Sequence, residues 1–463
     1  MQQHIKIKQY LETICDQIRY KKIHIDICEE IENHITDQKE AFMTQGIDDE
    51  TATLKAIEQM GDPVIIGTEL DRTHRPKPEW SIIALTFLLL LTGIFIRLYT
   101  SPQDFNGLEL FYRQLFFTIV GLGLMALCYH VDFTILGRYP KTIFLLLAAI
   151  LILLIALSRP VNGSPFYVNG RHIYAAYLLL LFPTSFAGIA YSMRNKGYSG
   201  IIFCGLFFAI PFVLSIIVPS MTSSILLVLS CLAVLTIAIS KNWFRVKKLY
   251  ALLLVYLPVI GSMVIVFASG ILSKRINLAF NPSIDPFGAG YTANISRQLL
   301  SGAKFIGEGT LLEYFQGASA SQVLPGINND FLLTYIIHRF GWIAFIIVAA
   351  LLTVFIVRAF VLCAKQKSVL ALLVSTAVTL TFTIQSLLYI VANLGFQLFA
   401  PLSLPLISQS SSYLLINMCL VGILLSVFRT GYFIKDRRNS EKAATNSFLK
   451  FEDGKLIIDF NIH

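Results

Sequence analysis

The chain has 463 residues, of which 55% are hydrophobic and 14% charged, and it carries a formal net charge of +9 at pH 7. Soluble domains average about 25% charged residues, so this composition excludes an ordinary soluble enzyme and predicts a membrane protein. The net positive charge is explained by the excess of Lys and Arg that membrane proteins carry in their cytoplasmic connections. No basic run is interleaved with aromatic residues, which argues against nucleic-acid binding.

The first 75 residues predict a separate cytosolic unit of three or four helices. The stretch is acidic, with 16 Asp and Glu against 10 Lys and Arg in residues 1–79. Apolar residues recur at helical spacing, as in Ile23, Ile27, Ile31 and Ile35, and are most simply a core, with an interaction surface as the alternative. The segment resembles the small helical prefix domain found ahead of some bacterial membrane proteins, which implies a regulatory or partner-binding role. Residues 76–79 are the predicted linker.

Ten apolar segments are each long enough, at about 20 residues, to cross a bilayer. They are residues 80–99, 111–129, 142–158, 173–191, 199–217, 222–240, 249–270, 332–357, 368–391 and 405–428. Lys and Arg concentrate in alternate connections, while the opposite connections 100–110, 218–221 and 392–404 have none. The positive-inside rule then places both termini in the cytosol. The predicted fold is an all-α, polytopic membrane domain over 80–430 with a cytosolic tail, 431–463.

Residues 271–331 form the largest predicted connection, on the outer side of the membrane. Four of the seven acidic residues between positions 80 and 428 lie there, together with four cations. Such a loop beside a lipid-facing bundle favours a substrate with an anionic head and an apolar tail, although a merely solvated loop remains the alternative. Asp330 immediately precedes an apolar run, where partial desolvation would raise its pKa towards that of a general base. The alternative role for Asp330 is a helix N-cap.

Several short motifs follow one another in a characteristic order. They are Arg113-Gln114, Val168-Asn169-Gly170-Arg171, Arg275-Ile276, Phe280-Asn281-Pro282, Asp285-Pro286, Gly290-Tyr291, Asn329-Asp330-Phe331 and Leu404-Pro405-Leu406-Ile407-Ser408. In this order and spacing they resemble the FtsW/RodA/SpoVE (SEDS) family. The resemblance covers essentially all of 80–430.

That resemblance implies a peptidoglycan glycosyltransferase that polymerises lipid II, an undecaprenyl-diphosphate-linked disaccharide-pentapeptide. The reaction would take place on the outer face of the bacterial cytoplasmic membrane, during wall synthesis in cell shape, division or sporulation. The implied partner is a class B penicillin-binding protein, beside membrane lipids. Asp330 occupies the position of the family's essential aspartate. The implied substrate-binding residues are Arg171, Arg275, Lys274, Arg113, Asp285 and Tyr291. No cofactor is implied, and a divalent cation is left open.

The chain also departs from the family pattern. After the aspartate the family usually carries Gly-Glu-Glu, whereas this chain has Ile337-His338-Arg339. The family's Pro-Ser-Glu-(Leu/Phe)-Ala-Lys pattern reads Pro183-Thr184-Ser185-Phe186-Ala187-Gly188 and loses its lysine, and the turn Gly307-Glu308-Gly309 resembles a family turn that usually reads Gly-Lys-Gly. These losses favour a second hypothesis, a non-catalytic scaffold that recruits a penicillin-binding protein. A lipid II flippase is the third hypothesis, but the span interiors lack the Asp and Glu residues expected of a transporter.

Overall fold

The computed structural model describes residues 2–100, 107–157, 159–161, 164–168, 171–172, 175–218, 220–310, 323–327, 329–408, 411–431, 449–452 and 455–458. Most of these residues are helical, which confirms the all-α class. The described strands form two small antiparallel sheets. Their strands are β1 (Arg159–Val161), β2 (Ser164–Val168) and β3 (Arg171–His172), then β4 (Leu449–Glu452) and β5 (Lys455–Ile458). The rest of the tail predicted beyond residue 431 lies outside the described residues.

Four helices precede the membrane domain. They are α1 (Gln2–Gln17), α2 (His24–Thr44), α3 (Asp49–Met60) and α4 (Pro63–His74), with a 3-10 turn at Lys21–Ile23. Buried isoleucines such as Ile14, Ile27 and Ile35 form their shared core. Asp48 and Asp62 cap α3 and α4, since their carboxylates accept the backbone N–H groups of Thr51 and Val64. Residues 75–79 then lead into the first spanning helix.

Nine described helices are long and apolar enough to cross a membrane. They are α5 (Trp80–Thr100), α6 (Gly107–His130), α8 (Pro140–Leu157), α10 (Gly197–Ile217), α11 (Met221–Ser240), α12 (Lys248–Ala268), α16 (Trp342–Ala364), α17 (Val369–Asn393) and α18 (Ser411–Thr430). Shorter helices lie between them: α7 (Ile135–Arg138), α9 (Phe182–Ser192), α13 (Ile271–Phe280), α14 (Tyr291–Ser301) and α15 (Leu332–Phe340). The spans α17 and α18 are the most buried, and α12 is the least.

Two predicted spans differ from the observed helices. The segment predicted at 173–191 forms a 3-10 helix, Ala175–Leu181, followed by α9, and its apolar helical part is shorter than the other spans. The segment predicted at 332–357 is broken at Gly341, which has a φ of +92° and separates α15 from α16. A side chain at Gly341 would lie 2.5 Å from the carbonyl oxygen of Phe305, so only glycine fits this break.

The connection predicted at 271–331 contains helices among its described residues, 271–310, 323–327 and 329–331. It contains α13, a 3-10 turn at Pro282–Ile284, and α14, which packs against the segment that leads to α15. The guanidinium of Arg297 in α14 donates to the carbonyl oxygens of Ala279, Phe280 and Gly395, at 2.5, 2.8 and 3.0 Å. One side chain therefore fixes α14 to both α13 and the end of α17.

The amino-terminal helices touch the membrane domain at one described point. Tyr20 lies beside Arg429 and Thr430 at the carboxyl end of α18, and burial raises the pKa of its hydroxyl. The Arg429 guanidinium also covers the ring of Tyr129 in α6, 4.3 Å from the ring centroid. The contact thus joins the amino-terminal unit to the paired ends of α6 and α18.

Candidate functional site

Asp330 lies in a tight turn immediately before α15. Its backbone N–H donates to the carbonyl oxygen of Gly326 at 2.9 Å, and Gly326 has a φ of +75° that favours glycine. Val323 and Leu324 are buried in a small cluster with residues of α14. The turn is therefore anchored on one side by apolar packing against α14.

The other side of the turn is bonded to α17. The side-chain amide of Asn393 donates to the carbonyl oxygen of Asp330 at 2.9 Å, and its oxygen accepts the backbone N–H of Thr334 at 3.0 Å. The hydroxyl of Tyr389, one helical turn earlier, donates to the carbonyl oxygen of Asn329 at 3.0 Å. Asn393 and Tyr389 are fully buried. These bonds fix the backbone around Asp330 and leave its carboxylate uncommitted.

A third segment, residues 404–408, completes the frame. The Ser408 hydroxyl donates to the carbonyl oxygen of Asn329 at 3.2 Å and accepts the backbone N–H of Leu404 at 2.8 Å. Gly93 of α5 lies directly against Ile407, because a Cβ at Gly93 would be 2.6 Å from the Ile407 carbonyl oxygen. Asp330 is thus surrounded by α14, α17, the 404–408 segment and the end of α5.

The carboxylate of Asp330 is partly buried. Burial raises its pKa to about 6, because removal from water disfavours the charged form. Within the described part of the chain, no cation or hydrogen-bond donor contacts this carboxylate, and the buried Oδ1 of Asn329 also has no partner. The N-cap alternative is wrong, since the N-cap position of α15 is Phe331 and no side chain caps this helix.

Asp285 and Tyr291, both predicted to bind substrate, have contacts that shape the loop. The Asp285 carboxylate accepts the backbone N–H groups of Gly288 and Ala289 at 3.0 and 2.9 Å, which closes the turn before α14. The Tyr291 hydroxyl donates to the carbonyl oxygen of Val323 at 3.0 Å and so ties α14 to the Asp330 turn. The structure connects Tyr291 to the Asp330 turn through Val323. Asp285 lies in the turn before α14 of the same connection.

The four predicted cations have different environments. Lys274, Arg275 and Arg113 are exposed, and Arg275 approaches the Leu398 carbonyl oxygen at 3.5 Å and the Phe399 ring. None of these three contacts Asp330 in the described residues. Arg171 lies in β3, paired with Val168, and its side chain is outside the described atoms. These three exposed cations are therefore accessible to a ligand. Snorkelling towards the membrane surface is the ordinary alternative role for Arg113.

The residues that depart from the family pattern pair with each other. Arg339 in α15 forms an ion pair with Glu308 in the 307–309 turn. The backbone of that turn also bonds to α15, with the N–H of Gly309 donating to the His338 carbonyl oxygen at 2.7 Å. A glutamate therefore stands where the pattern has lysine, and an arginine stands where it has glutamate. The two departures therefore lie in contact with each other as an ion pair.

Swapping the charges of Glu308 and Arg339 tests whether the two side chains form a pair. Arg339→Glu alone should lower the free energy of unfolding by about 1 kcal/mol, because Glu308 is more than half exposed and solvent screens the repulsion. The double variant Glu308→Lys with Arg339→Glu should regain most of the loss. Thermal melting of the purified proteins in detergent measures both, and a double variant less stable than either single one would contradict the pairing.

Among the described residues, no group of three or more His, Cys, Asp or Glu side chains could hold a metal ion. Two residues that shape the site were missed from the sequence, Asn393 and Tyr389. Both are polar side chains four positions apart on one face of an apolar helix, and that spacing is the signal that could have identified them.

Comparison with known proteins gives a consistent result. A sequence profile of the FtsW/RodA/SpoVE family, described as cell cycle proteins, matches residues 79–432. A probable peptidoglycan glycosyltransferase FtsW from Aromatoleum aromaticum is 26% identical over 407 residues, covering 83% of this chain and 94% of the relative. Stage V sporulation protein E from Bacillus subtilis is 23% identical over 379 residues, covering 77% and 98%.

Solved structures show the same fold. A chain from a peptidoglycan synthase complex, described as coordinating polymerization and crosslinking, has a TM-score of 0.60 at 16% identity, with 77% of this chain and 98% of that chain covered. A variant of the rod shape determining protein RodA from Thermus thermophilus has a TM-score of 0.52 at 15% identity, with the same coverage. The family match begins at residue 79, so α1–α4 lie outside it.

Proposed function

This chain belongs to the FtsW/RodA/SpoVE family of cell cycle proteins, and on that basis we propose that it is a peptidoglycan glycosyltransferase polymerising lipid II. The reaction takes place at the outer face of the bacterial cytoplasmic membrane. One observation carries the assignment to a catalytic member: the Asp330 carboxylate is uncommitted, has a pKa of about 6, and sits on a backbone fixed from three sides. A scaffold without chemistry has no need of such a carboxylate.

Asp330 acts as the general base. Its ionised carboxylate takes the proton of the acceptor sugar's 4-hydroxyl while that oxygen forms a bond to the anomeric carbon of the donor. The bond from that carbon to the diphosphate oxygen breaks, and undecaprenyl diphosphate leaves with the electron pair. A base with a pKa of about 6 is roughly nine-tenths ionised at pH 7.

The departing diphosphate needs cations, because negative charge grows on it in the transition state. We assign this role to Arg171, Arg275, Lys274 and Arg113, which reach the substrate from the solvent side. Asp285 and Tyr291 hold the loop that carries Arg275 and so position these cations. The Glu308–Arg339 pair ties the 307–309 turn to α15 and gives one of the departures from the family pattern a structural role.

The experiment that tests this function is polymerisation of labelled lipid II by the protein in nanodiscs or detergent. We expect glycan strands on gels, and we expect a class B penicillin-binding protein to raise their yield by binding to the membrane domain. The solved chain that this fold resembles comes from a peptidoglycan synthase complex, which supports a partner of this kind. Absence of polymer with every class B partner of the same organism would leave the scaffold hypothesis in its place.

The orientation predicts the accessibility of two exposed positions. A cysteine at Ser283, in the 271–331 connection, should react with a membrane-impermeant maleimide in intact cells, and one at Asn242, between α11 and α12, should react only after lysis. Both side chains are exposed, so burial does not confound the comparison. Labelling over the background of the parent protein is read on gels. The reverse pattern would place Asp330 in the cytosol and exclude the proposed reaction.

The amino-terminal unit of α1–α4 has a regulatory role in this proposal. It lies outside the family match, and Tyr20 contacts Arg429 and Thr430 at the end of α18. The segment at the opposite end of α18, residues 404–408, bonds to Asn329 beside Asp330. A partner that displaces the unit from Arg429 could therefore act on the site through α18.

A further inference from the structure

An apolar cavity lies between α10, α11 and α12, three spanning helices that do not frame Asp330. Its volume is about 390 Å³, within the ~300–1,000 Å³ that is usual for small-molecule sites. Of the lining residues that the structure describes, Ser262 alone has a hydroxyl group, and that hydroxyl donates to the Val259 carbonyl oxygen of its own helix at 2.8 Å. The cavity therefore offers an occupant almost only apolar surface.

The cavity opens towards the lipid between α10 and α12. Ile202 and Leu254 line it from these two helices and are 52% and 41% exposed. Gly205 also lines it, and a Cβ at Gly205 would meet no atom within 4 Å. A missing side chain on α10 thus helps to create the space. Because the space lies within spanning helices and faces hydrocarbon, the molecule that fits it is an acyl chain of a membrane lipid.

Cations gather at one end of the same three helices, the end that the positive-inside rule assigns to the cytosol. This basic cluster consists of five exposed side chains, Lys196, Lys241, Arg245, Lys247 and Lys248. The sequence from 133 to 284 contains no Asp or Glu, so neither these helices nor their connections supply a carboxylate that could neutralise the cluster. Basic groups between spanning helices at this side of a membrane bind anionic lipid headgroups.

Specific contacts hold together the two connections that carry the basic cluster. The backbone N–H of Asn195 donates to the Trp243 carbonyl oxygen at 2.9 Å. Phe244 is fully buried, and its ring would lie 3.3 Å from a Cβ at Gly200 in the first turn of α10. Arg245 has a φ of +54°, which is uncommon for a residue with a side chain. The cluster is therefore displayed on a backbone that packing fixes in place.

The cavity and the basic cluster follow one another along the helices. The lining residues nearest to the cluster are Ile201, Leu235 and Leu254, each about one to two turns, or ~6–9 Å, from the end of its helix. The exposed rings of Tyr198 and Tyr250 mark the headgroup level at that end. A lipid with an acyl chain in the cavity would place its phosphate beside the cluster, so both features fit one molecule.

We propose that this end of α10, α11 and α12 binds an anionic phospholipid, with an acyl chain in the cavity and the phosphate on the basic cluster. The site is independent of the proposed reaction. α12 is the least buried span, so the lipid supplies packing that the protein does not. α12 leads into α13, whose carbonyl oxygens at Ala279 and Phe280 accept from Arg297 of α14. The lipid therefore stabilises the helix that carries the 271–331 connection.

The test measures lipid binding by the full-length protein, delipidated in detergent, with native mass spectrometry. Dioleoyl-phosphatidylglycerol, which is anionic, is titrated beside dioleoyl-phosphatidylcholine, which has the same chains and no net charge. The first phosphatidylglycerol should bind about tenfold more tightly than phosphatidylcholine. Glycerol 3-phosphate, which has the phosphate without an acyl chain, should not displace it. Equal binding of the two phospholipids, or displacement by glycerol 3-phosphate, would overturn the proposal.

Neutralising the basic cluster tests its part in the site. Lys196→Gln, Lys241→Gln and Lys248→Gln together should lower phosphatidylglycerol affinity about tenfold, to that of phosphatidylcholine. The matched control has the same net charge and changes three exposed lysines elsewhere to Gln: Lys21, Lys55 and Lys365. This control should bind like the parent. An equal loss in the control would show that net charge alone sets the preference and would reject the site.

Filling the cavity tests the place of the acyl chain. Gly205→Phe puts a ring into open space and removes a helix-interior glycine, so the fold should be kept. It should weaken the binding of both phospholipids about tenfold, and Gly205→Leu repeats the test with a smaller side chain. Gly123→Phe in α6 is the control, because a Cβ there also meets no atom within 4 Å and Gly123 does not line the cavity. Unchanged phosphatidylglycerol binding in both Gly205 variants would overturn the proposal.

Discussion

Replacing Asp330 by Asn is expected to lower the rate of lipid II polymerisation by about 10²- to 10⁴-fold, the usual contribution of a general base. The amide has nearly the same shape as the carboxylate but cannot take the proton of the acceptor hydroxyl. The backbone bonds from Asn393 and to Gly326 do not involve the Asp330 side chain. The variant should therefore fold normally and still bind substrate, and the loss should appear in kcat with KM nearly unchanged.

The pH dependence of the polymerisation rate tests the role of Asp330 independently. The pKa of Asp330 is raised to about 6 by burial, and the base is active only when ionised. The wild-type rate should therefore rise about tenfold per pH unit below pH 6 and level off above pH 7. The residual rate of the Asp330→Asn variant should not show this rise with pH. An Asn variant that polymerises at the normal rate would remove Asp330 from the mechanism.

The second large effect is expected at Asn393, which acts through Asp330. Asn393→Leu removes the donor to the Asp330 carbonyl oxygen and the acceptor for the Thr334 N–H, and both backbone groups are then left unpaired in a buried place. The free energy of unfolding should fall by about 2–6 kcal/mol, since each of the two unpaired backbone groups costs about 1–3 kcal/mol. The folded fraction should also show a kcat about tenfold lower, since the carboxylate is no longer held in position.

A control on the same helix separates these effects from simple loss of polarity. Thr381 is equally buried in α17, but its hydroxyl bonds only within the helix, to the Ala377 carbonyl oxygen. Thr381→Val should therefore change stability by less than about 1 kcal/mol and leave the rate unchanged. The activity of the Asn393 variant below its melting temperature is the decisive measurement. Normal kcat there would show that Asn393 stabilises the fold without positioning Asp330.

The spanning helices could be predicted because a run of about 20 apolar residues is a strong and local signal. Two departures from the predicted organisation have tertiary causes. Residues 332–357 are predominantly apolar, so hydropathy does not reveal the break at Gly341, which depends on the close approach of the Phe305 carbonyl. The order in residues 271–301 was missed because Arg297 bonds to carbonyl oxygens distant in sequence, a pattern without a local signature.

The candidate site was predictable only in part. Asp330 could be identified from its place at the start of an apolar run and from its motif. Its supports, Asn393 and Tyr389, lie about 60 residues away on another helix and could be assigned only from contacts. The sequence also made the exchange of charges at Glu308 and Arg339 look like two losses, because each position by itself departs from the family pattern. Their contact in the structure shows that the two positions are partners in one ion pair.

The joint at Gly341 also bears on how the enzyme responds to its lipid environment. A long helix adapts to a thinner or thicker bilayer by tilting, and α16 can do so while α15 stays bonded to α17 through Thr334 and Asn393. The general base is then carried by the deeply buried part of the protein, on the other side of the Gly341 break from the spanning helix α16. Wall synthesis could thus continue while the bacterium remodels its acyl chains during changes in growth temperature.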